Sequence, residues 1–314
     1  MYQAGQLKQY RERCFFAVGG GGSTLTTAAI VPWNIPKEAR FVSFMLIGPG
    51  GSGSGGATAV SGSTRSGGGG GGPGAISNAL FAARTLPETV FMLLPSGGPG
   101  GAANTSGTAT TFAMITGNPN SIATVPSNQF LFANCGVNGL VAGTGGAAGA
   151  VATIANCQLA SKALAVNYNA GSAAGGAAGS PGASSVLAYV CSPGAGGGST
   201  VTTTPAAGGS VTTANATNPF FSNSASTILA QGGVTASPLY GANGYDNIQD
   251  STPFGASIGG WFSVGGAGGA SIDASTGGAG GNGGVGSGGG GGGAGATGGA
   301  GGNGGPSFCL IEWW

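Results

Sequence analysis

Histidine is absent from this 314-residue chain, which removes the commonest general base and the commonest metal ligand together. Charge is scarce, at 5% of residues. All eight basic residues lie between Lys8 and Lys162, alongside Glu12, Glu38 and Glu88; the remainder carries only Asp246, Asp250, Asp273 and Glu312. Nothing forms the basic stripe that phosphate binding needs, so no nucleic-acid partner is expected. The five cysteines (Cys14, Cys135, Cys157, Cys191 and Cys309) are odd in number and contain no C-x-x-C pair, so the usual zinc and thioredoxin signatures are missing. Cys14, Cys191 and Cys309 have aromatic or aliphatic neighbours and read as buried free thiols. No apolar run approaches the ~20 residues of a membrane helix, and Met1–Arg13 is polar where a secretory leader would be apolar. The expectation is a protein made in a cytoplasm and assembled there, with no membrane insertion.

What the chain has instead is glycine: 73 residues, with 16 prolines besides. That level without a collagen period normally accompanies disorder. Disorder, however, goes with high charge and low hydrophobicity, whereas 40% of these residues are hydrophobic. Gly277 to Pro306 reads as ten triplets, GGA GGN GGV GSG GGG GGA GAT GGA GGN GGP, with glycine first in every one. Three residues per turn is the period of the polyproline II helix, and such helices pack side by side where two places in three lack side chains. At ~3.1 Å per residue the stretch would reach ~93 Å, or ~45 Å per leg if folded once, with Gly288–Gly293 as the expected place of reversal. Gly48–Gly56, Gly67–Gly74, Gly97–Ala102, Gly143–Gly149 and Gly171–Gly179 are expected as neighbouring legs.

Between these tracts lie apolar runs of four to eight residues: Phe41–Ile47, Thr89–Leu94, Thr110–Ile115, Phe130–Ala133, Val186–Cys191, Trp261–Val264 and Phe308–Trp314. Their length and their β-branched and aromatic bias predict strands, several covered on both faces. The fold class expected is all-β, a jelly-roll-like β-sandwich with long glycine loops packed as polyglycine II helices. Gln158–Val166 alone has a helical pattern. The expected organisation is an N-terminal anchoring arm (1–22), one or two helical turns if it folds at all, then a glycine-rich domain (23–314) with 106–264 as an insertion or distal subdomain.

Familiar chemical motifs fail on inspection. Gly48, Gly50 and Gly53 form a nominal dinucleotide fingerprint, but no helix pattern follows and no acidic residue appears before Glu88. None of the three lysines follows a glycine, so there is no P-loop. A serine nucleophile has no histidine to complete a triad. Asp246 and Asp250 remain as a carboxylate pair for glycoside hydrolysis, or as calcium ligands with Asn247, against the plainer reading of a solvated loop. Asn104 and Asn215 open glycosylation sequons that mean little without a secretory leader. No catalytic residue, cofactor or metal is assigned. Phe220, Phe221, Tyr240, Tyr245, Phe254 and Trp261 stand among Asn, Ser and Asp, a composition suited either to a recognition surface or to a subunit interface.

Trp33-Asn-Ile35-Pro36 followed by RFVSFMLIGPGGSGSGG, and the ending GGAGGNGGPSFCLIEWW with Phe308, Leu310, Ile311, Trp313 and Trp314, resemble the opening and close of the glycine-rich domain of bacteriophage tail fibres and related virion proteins. Ser106 to Val264 departs from that pattern. The resemblance implies a β-sandwich with glycine loops at one end, on a virion. Some phage adhesins of similar composition bundle such loops and bind the host with the loop tips. On this reading the chain is a fibre or spike component that contacts a host-surface glycan or protein. It would be a homo-oligomer, a trimer by preference, anchored to other virion proteins through Lys8, Tyr10, Arg11, Arg13, Phe15 and Phe16. The alternatives are a capsid decoration or spike-base protein without receptor contact, and a glycosidase acting on host polysaccharide.

Overall fold

The computed structural model describes residues 11–16, 30–108, 110–117, 129–141, 163–169, 182–187, 191–213, 228–235, 239–244 and 263–314. They form an all-β protein in two parts: a pair of facing antiparallel sheets, and a bundle of glycine legs growing from one end of them. One sheet has the order β1 (Arg11–Phe16), β12 (Phe308–Trp313), β3 (Phe41–Ile47), β4 (Ile76–Ala82), β8 (Ala163–Asn169). The other runs β2 (Ile30–Asn34), β5 (Thr89–Leu93), β6 (Ala113–Thr116), β7 (Gln129–Ala133). A third, small sheet joins β11 (Ile228–Ala230), β10 (Val211–Thr213) and β9 (Ser185–Leu187).

The period of two in the strands decides which face is core. Val42, Phe44 and Leu46 of β3, Ala79 and Phe81 of β4, and Cys309 and Ile311 of β12 meet Trp33, Val90, Met92, Ile115 and Phe130 from the opposite sheet in one buried cluster. Rings interlock across it: Trp33 lies 6.2 Å edge-on from Phe44, Phe44 lies 6.0 Å from Phe81, and Phe81 lies 6.5 Å from Phe130. The Ser77 hydroxyl donates across the sandwich to the Phe132 carbonyl at 2.6 Å. On the other face of the same sheet, Ile47, Ile76, Phe308 and Leu310 pack against Cys191 and Val285 from the bundle. Strand β12 is therefore covered on both sides, which accounts for its unbroken FCLI. Pro32, which cannot donate to a ladder, sits in edge strand β2.

Two local expectations change. Residues 11–16 of the arm form an edge strand, not a helical turn, paired antiparallel to β12 from Arg11↔Trp313 to Phe16↔Phe308. Ala163–Val166, the end of the helix-like QLASKALAV, belongs to strand β8, paired with β4; its first residues, 158–162, lie outside the described ones. Within 106–264, strands β6, β7 and β8 complete the two large sheets.

The glycine legs keep the three-residue period. From leg 277–284, Gly277, Gly280 and Gly283 donate to the carbonyls of Thr297, Ala300 and Asn303, while Gly278, Gly281 and Gly284 donate to Ala270, Ala267 and Val264. One neighbour is met at every third residue, where a β-strand would meet it at every second. The third places, Ala279 and Asn282, face solvent.

The tract is folded twice, not once, and Gly288–Gly293 is not the reversal. The chain turns at Val285-Gly286, where Gly286 has φ +64°, and again at 295–297. Gly288–Gly293 is the central leg. Its N–H groups reach legs 192–198, 51–54 and 278–281, and its carbonyls accept from legs 266–269, 68–71 and 299–302, so six legs surround it. A Cβ at any position from Gly288 to Gly293 would lie 2.0–2.2 Å from a neighbour's carbonyl oxygen. The all-glycine run is thus the leg with no outward face.

Candidate functional site

The sandwich fixes one end of four legs directly. Gly48 follows β3, Ala75 precedes β4, Asn134 follows β7 and Ser307 precedes β12. The opposite ends meet as a cluster of loops, 57–66, 102–105, 199–206, 271–276 and 295–297. Isolated bridges tie them together: Thr58 to Gly295, Arg65 to Thr200, Thr276 to Thr297. The Thr58 N–H also donates to Asn104 Oδ1 at 2.8 Å.

The surface of this tip is uncharged and small. Val60 is 77% exposed and Val201 48% exposed, with Ser61, Gly62, Thr64, Thr202, Thr203, Thr204, Ala274, Ser275 and Thr276 also open to solvent. Thr202 holds φ +53°, a conformation that a β-branched residue rarely adopts.

Beneath that surface is a polar knot. The Arg65 side chain is 1% exposed and pairs with Asp273. Its guanidinium also donates to the carbonyls of Ser63, Ala59 and Asp273 at 3.0–3.2 Å. The Asp273 carboxylate in turn accepts from Ser61 Oγ at 2.6 Å and from the Gly62 N–H at 2.9 Å. These bonds, from the Ser61 hydroxyl first, then the Gly62 N–H and the Arg65 charge, hold Asp273 below its ordinary value. Sequence reading passed over Arg65 and Asp273 because they stand 208 residues apart.

Of the aromatic candidates, Tyr240 is 65% exposed on the bundle flank. It sits on leg 239–244, where the Leu239 carbonyl accepts from Ala270 and the Gly241 N–H donates to Ala279, beside the legs that carry loop 271–276. Phe220, Phe221, Tyr245, Phe254 and Trp261 lie outside the described residues, as do Asp246, Asp250, Lys8 and Tyr10. Arg11, Arg13, Phe15 and Phe16 lie in β1, with Arg13 exposed. The N–H groups of Gly50 and Gly53, from the nominal dinucleotide fingerprint, are bonded to Gly305 and Gly302. Cys191 and Cys309 are buried and Cys135 is half-buried, none of the three in a disulfide, and burial pushes the Cys135 thiol up. Among the described residues no group of three His, Cys, Asp or Glu could hold a metal ion, and no helix is long and apolar enough to cross a membrane.

No curated protein matches the chain. A family model described as a glycine-rich domain matches residues 24–130, the span from just before β2 into β7, including the legs at 48–56, 67–74 and 97–102.

Proposed function

We propose that this chain is a bacteriophage virion structural protein, a fibre or spike component whose glycine bundle presents its loop tip to the host cell surface. The observation that carries the reading is the tip itself: five loops from distant parts of the sequence, gathered at the far end of a bundle that the sandwich anchors. A bundle held by backbone hydrogen bonds is stiff, so the tip residues are preorganised and little loop entropy is lost on contact. Val60 and Val201 supply exposed apolar area among adaptable hydroxyls, and Tyr240 is exposed on leg 239–244. The chain acts without catalysis on this reading, and assembles as a trimer. Among the described residues β1 is the outermost strand of its sheet, the position at which another virion protein would join by strand addition.

The test is adsorption of the purified, fluorescently labelled chain to the bacterium that the phage infects. Val60→Asp combined with Val201→Asp is expected to abolish adsorption and leave thermal unfolding unchanged, since both side chains are exposed. Undiminished adsorption by a folded double variant would overturn the tip as the contact. A wild-type chain that co-purifies with virions and never adsorbs would support a decoration or spike-base role instead.

A further inference from the structure

The central leg and the legs packed around it carry no titratable side chain. Residues 48–56, 67–75, 192–199, 264–272 and 277–307, apart from Asp273 in the loop between the last two, contain no Asp, Glu, Lys, Arg, Cys or Tyr. At the tip this changes. Loop 57–66 and loop 271–276 are joined through Arg65 and Asp273 by bonds that depend on the charge of both. Loop 199–206 is tied to the same knot, because Arg65 and Thr200 exchange backbone hydrogen bonds at 2.9 Å each way. Loops 199–206 and 295–297 bring no titratable group of their own, so Arg65 is the charged group that faces Asp273.

We propose that Arg65 and Asp273 form a latch that sets the conformation of the tip independently of the bundle, and that acid releases the tip while the legs stay packed. The proposal stands on this loop geometry and not on the host-contact reading. Protonating Asp273 removes the partner of a guanidinium that has almost no access to water, and weakens the bonds from Ser61 and Gly62, which are stronger to a charged acceptor. The sign follows from the depressed titration of Asp273 in the folded state. The latch contributes in full above the ordinary carboxylate value of about 3.9 and is lost as pH falls through the lower folded value. Loops 57–66 and 271–276 then part, and Val60, Ser61 and Val201 lose their fixed relation.

Amide hydrogen exchange on the full chain, expressed as protection factors so that intrinsic pH dependence cancels, tests this without any variant. As pH falls from 7 through the folded titration of Asp273, protection at 57–66, 199–204 and 271–276 should fall by roughly tenfold or more, the loss of one charge-assisted bond, while Gly288–Gly293 keeps its protection. Asp273→Asn should show the low tip protection already at pH 7 and no further fall. A tip that keeps its pH 7 protection once Asp273 is protonated would overturn the proposal. So would a tip and a central leg that lose protection together, because the pair would then hold up the bundle and not a separable tip. If Asp273→Asn fails to fold, the wild-type titration alone decides.

Discussion

At the scale of single residues, each amino acid in a leg has its place decided by what surrounds it. Where neighbours lie on all sides only glycine fits. Gly290→Ala would push its Cβ to 2.1 Å from the Ala267 carbonyl oxygen, which is backbone and cannot give way. The expected cost is about 3 kcal/mol or more, seen as a lowered midpoint in thermal unfolding. The third places are the control. Asn243, Asn282 and Asn303 form an exposed row in which each Oδ1 accepts the N–H of the next leg at 2.9 Å: Asn282 on Asn243, Asn303 on Asn282, Gly100 on Asn303. Asn282→Ala hands one such N–H to water and should cost about 1 kcal/mol or less. Equal losses from the two substitutions would mean that position in the triplet does not matter. Serine does the matching task inside. Ser54 Oγ accepts from Gly69 and donates to Leu140, both at 2.8 Å, and Ser271 Oγ accepts from Ala206 at 2.6 Å and donates to Ser199. Sequence reading weighed these serines only as nucleophiles. Their role as fillers of backbone vacancies between legs becomes visible only once the legs are placed.

At the scale of elements, strands were legible where composition and length coincide. Phe41–Ile47, Thr89–Leu93 and Phe308–Trp313 are strands as their β-branched and aromatic content predicts. Strand β4 was not legible, because ISNALFA alternates Ser and Asn with alanine and announces neither period strongly. The helix-like QLASKALAV misled for a related reason: its alanines suit a helix in isolation, and pairing with β4 overrides that preference. Strand β1 was hidden by its charges, RER, which an edge position tolerates. That position carries its own prediction. Deleting residues through Phe16 leaves β12 as an open, apolar edge, and sedimentation should reveal self-association that rises with concentration. A truncated chain that sediments no faster than the full chain at every concentration would show that β1 is not what protects this edge. In the sandwich core, Trp33→Ala removes the ring that touches both Phe44 and Trp313, and should cost about 3–5 kcal/mol in chemical denaturation.

At the scale of the whole molecule, two kinds of packing are joined in one chain. The sandwich is held by apolar side chains and the bundle by backbone bonds, with side chains excluded from its centre. Val285 and Cys191 join the two, contributed by the bundle to the sandwich's second face. The triplet register of 277–306 was legible, as was its meaning as a built element. The number of folds and the identity of the central leg were not, because Gly288–Gly293 looks the same whether it is the softest stretch or the most enclosed. Only the positions of six other legs, brought from residues 48 to 305, tell the two apart. The tip was invisible for the same reason, its five loops being separated by most of the chain.

The enclosure of Gly288–Gly293 is the claim on which the account rests, and through-hydrogen-bond scalar couplings in a glycine-labelled, deuterated sample test it most directly. Couplings are predicted from the amide nitrogens of Gly289, Gly290 and Gly293 to the carbonyl carbons of Gly51, Gly281 and Gly278. Absence of these couplings, with random-coil shifts for the six glycines, would contradict it and return the tract to a flexible linker.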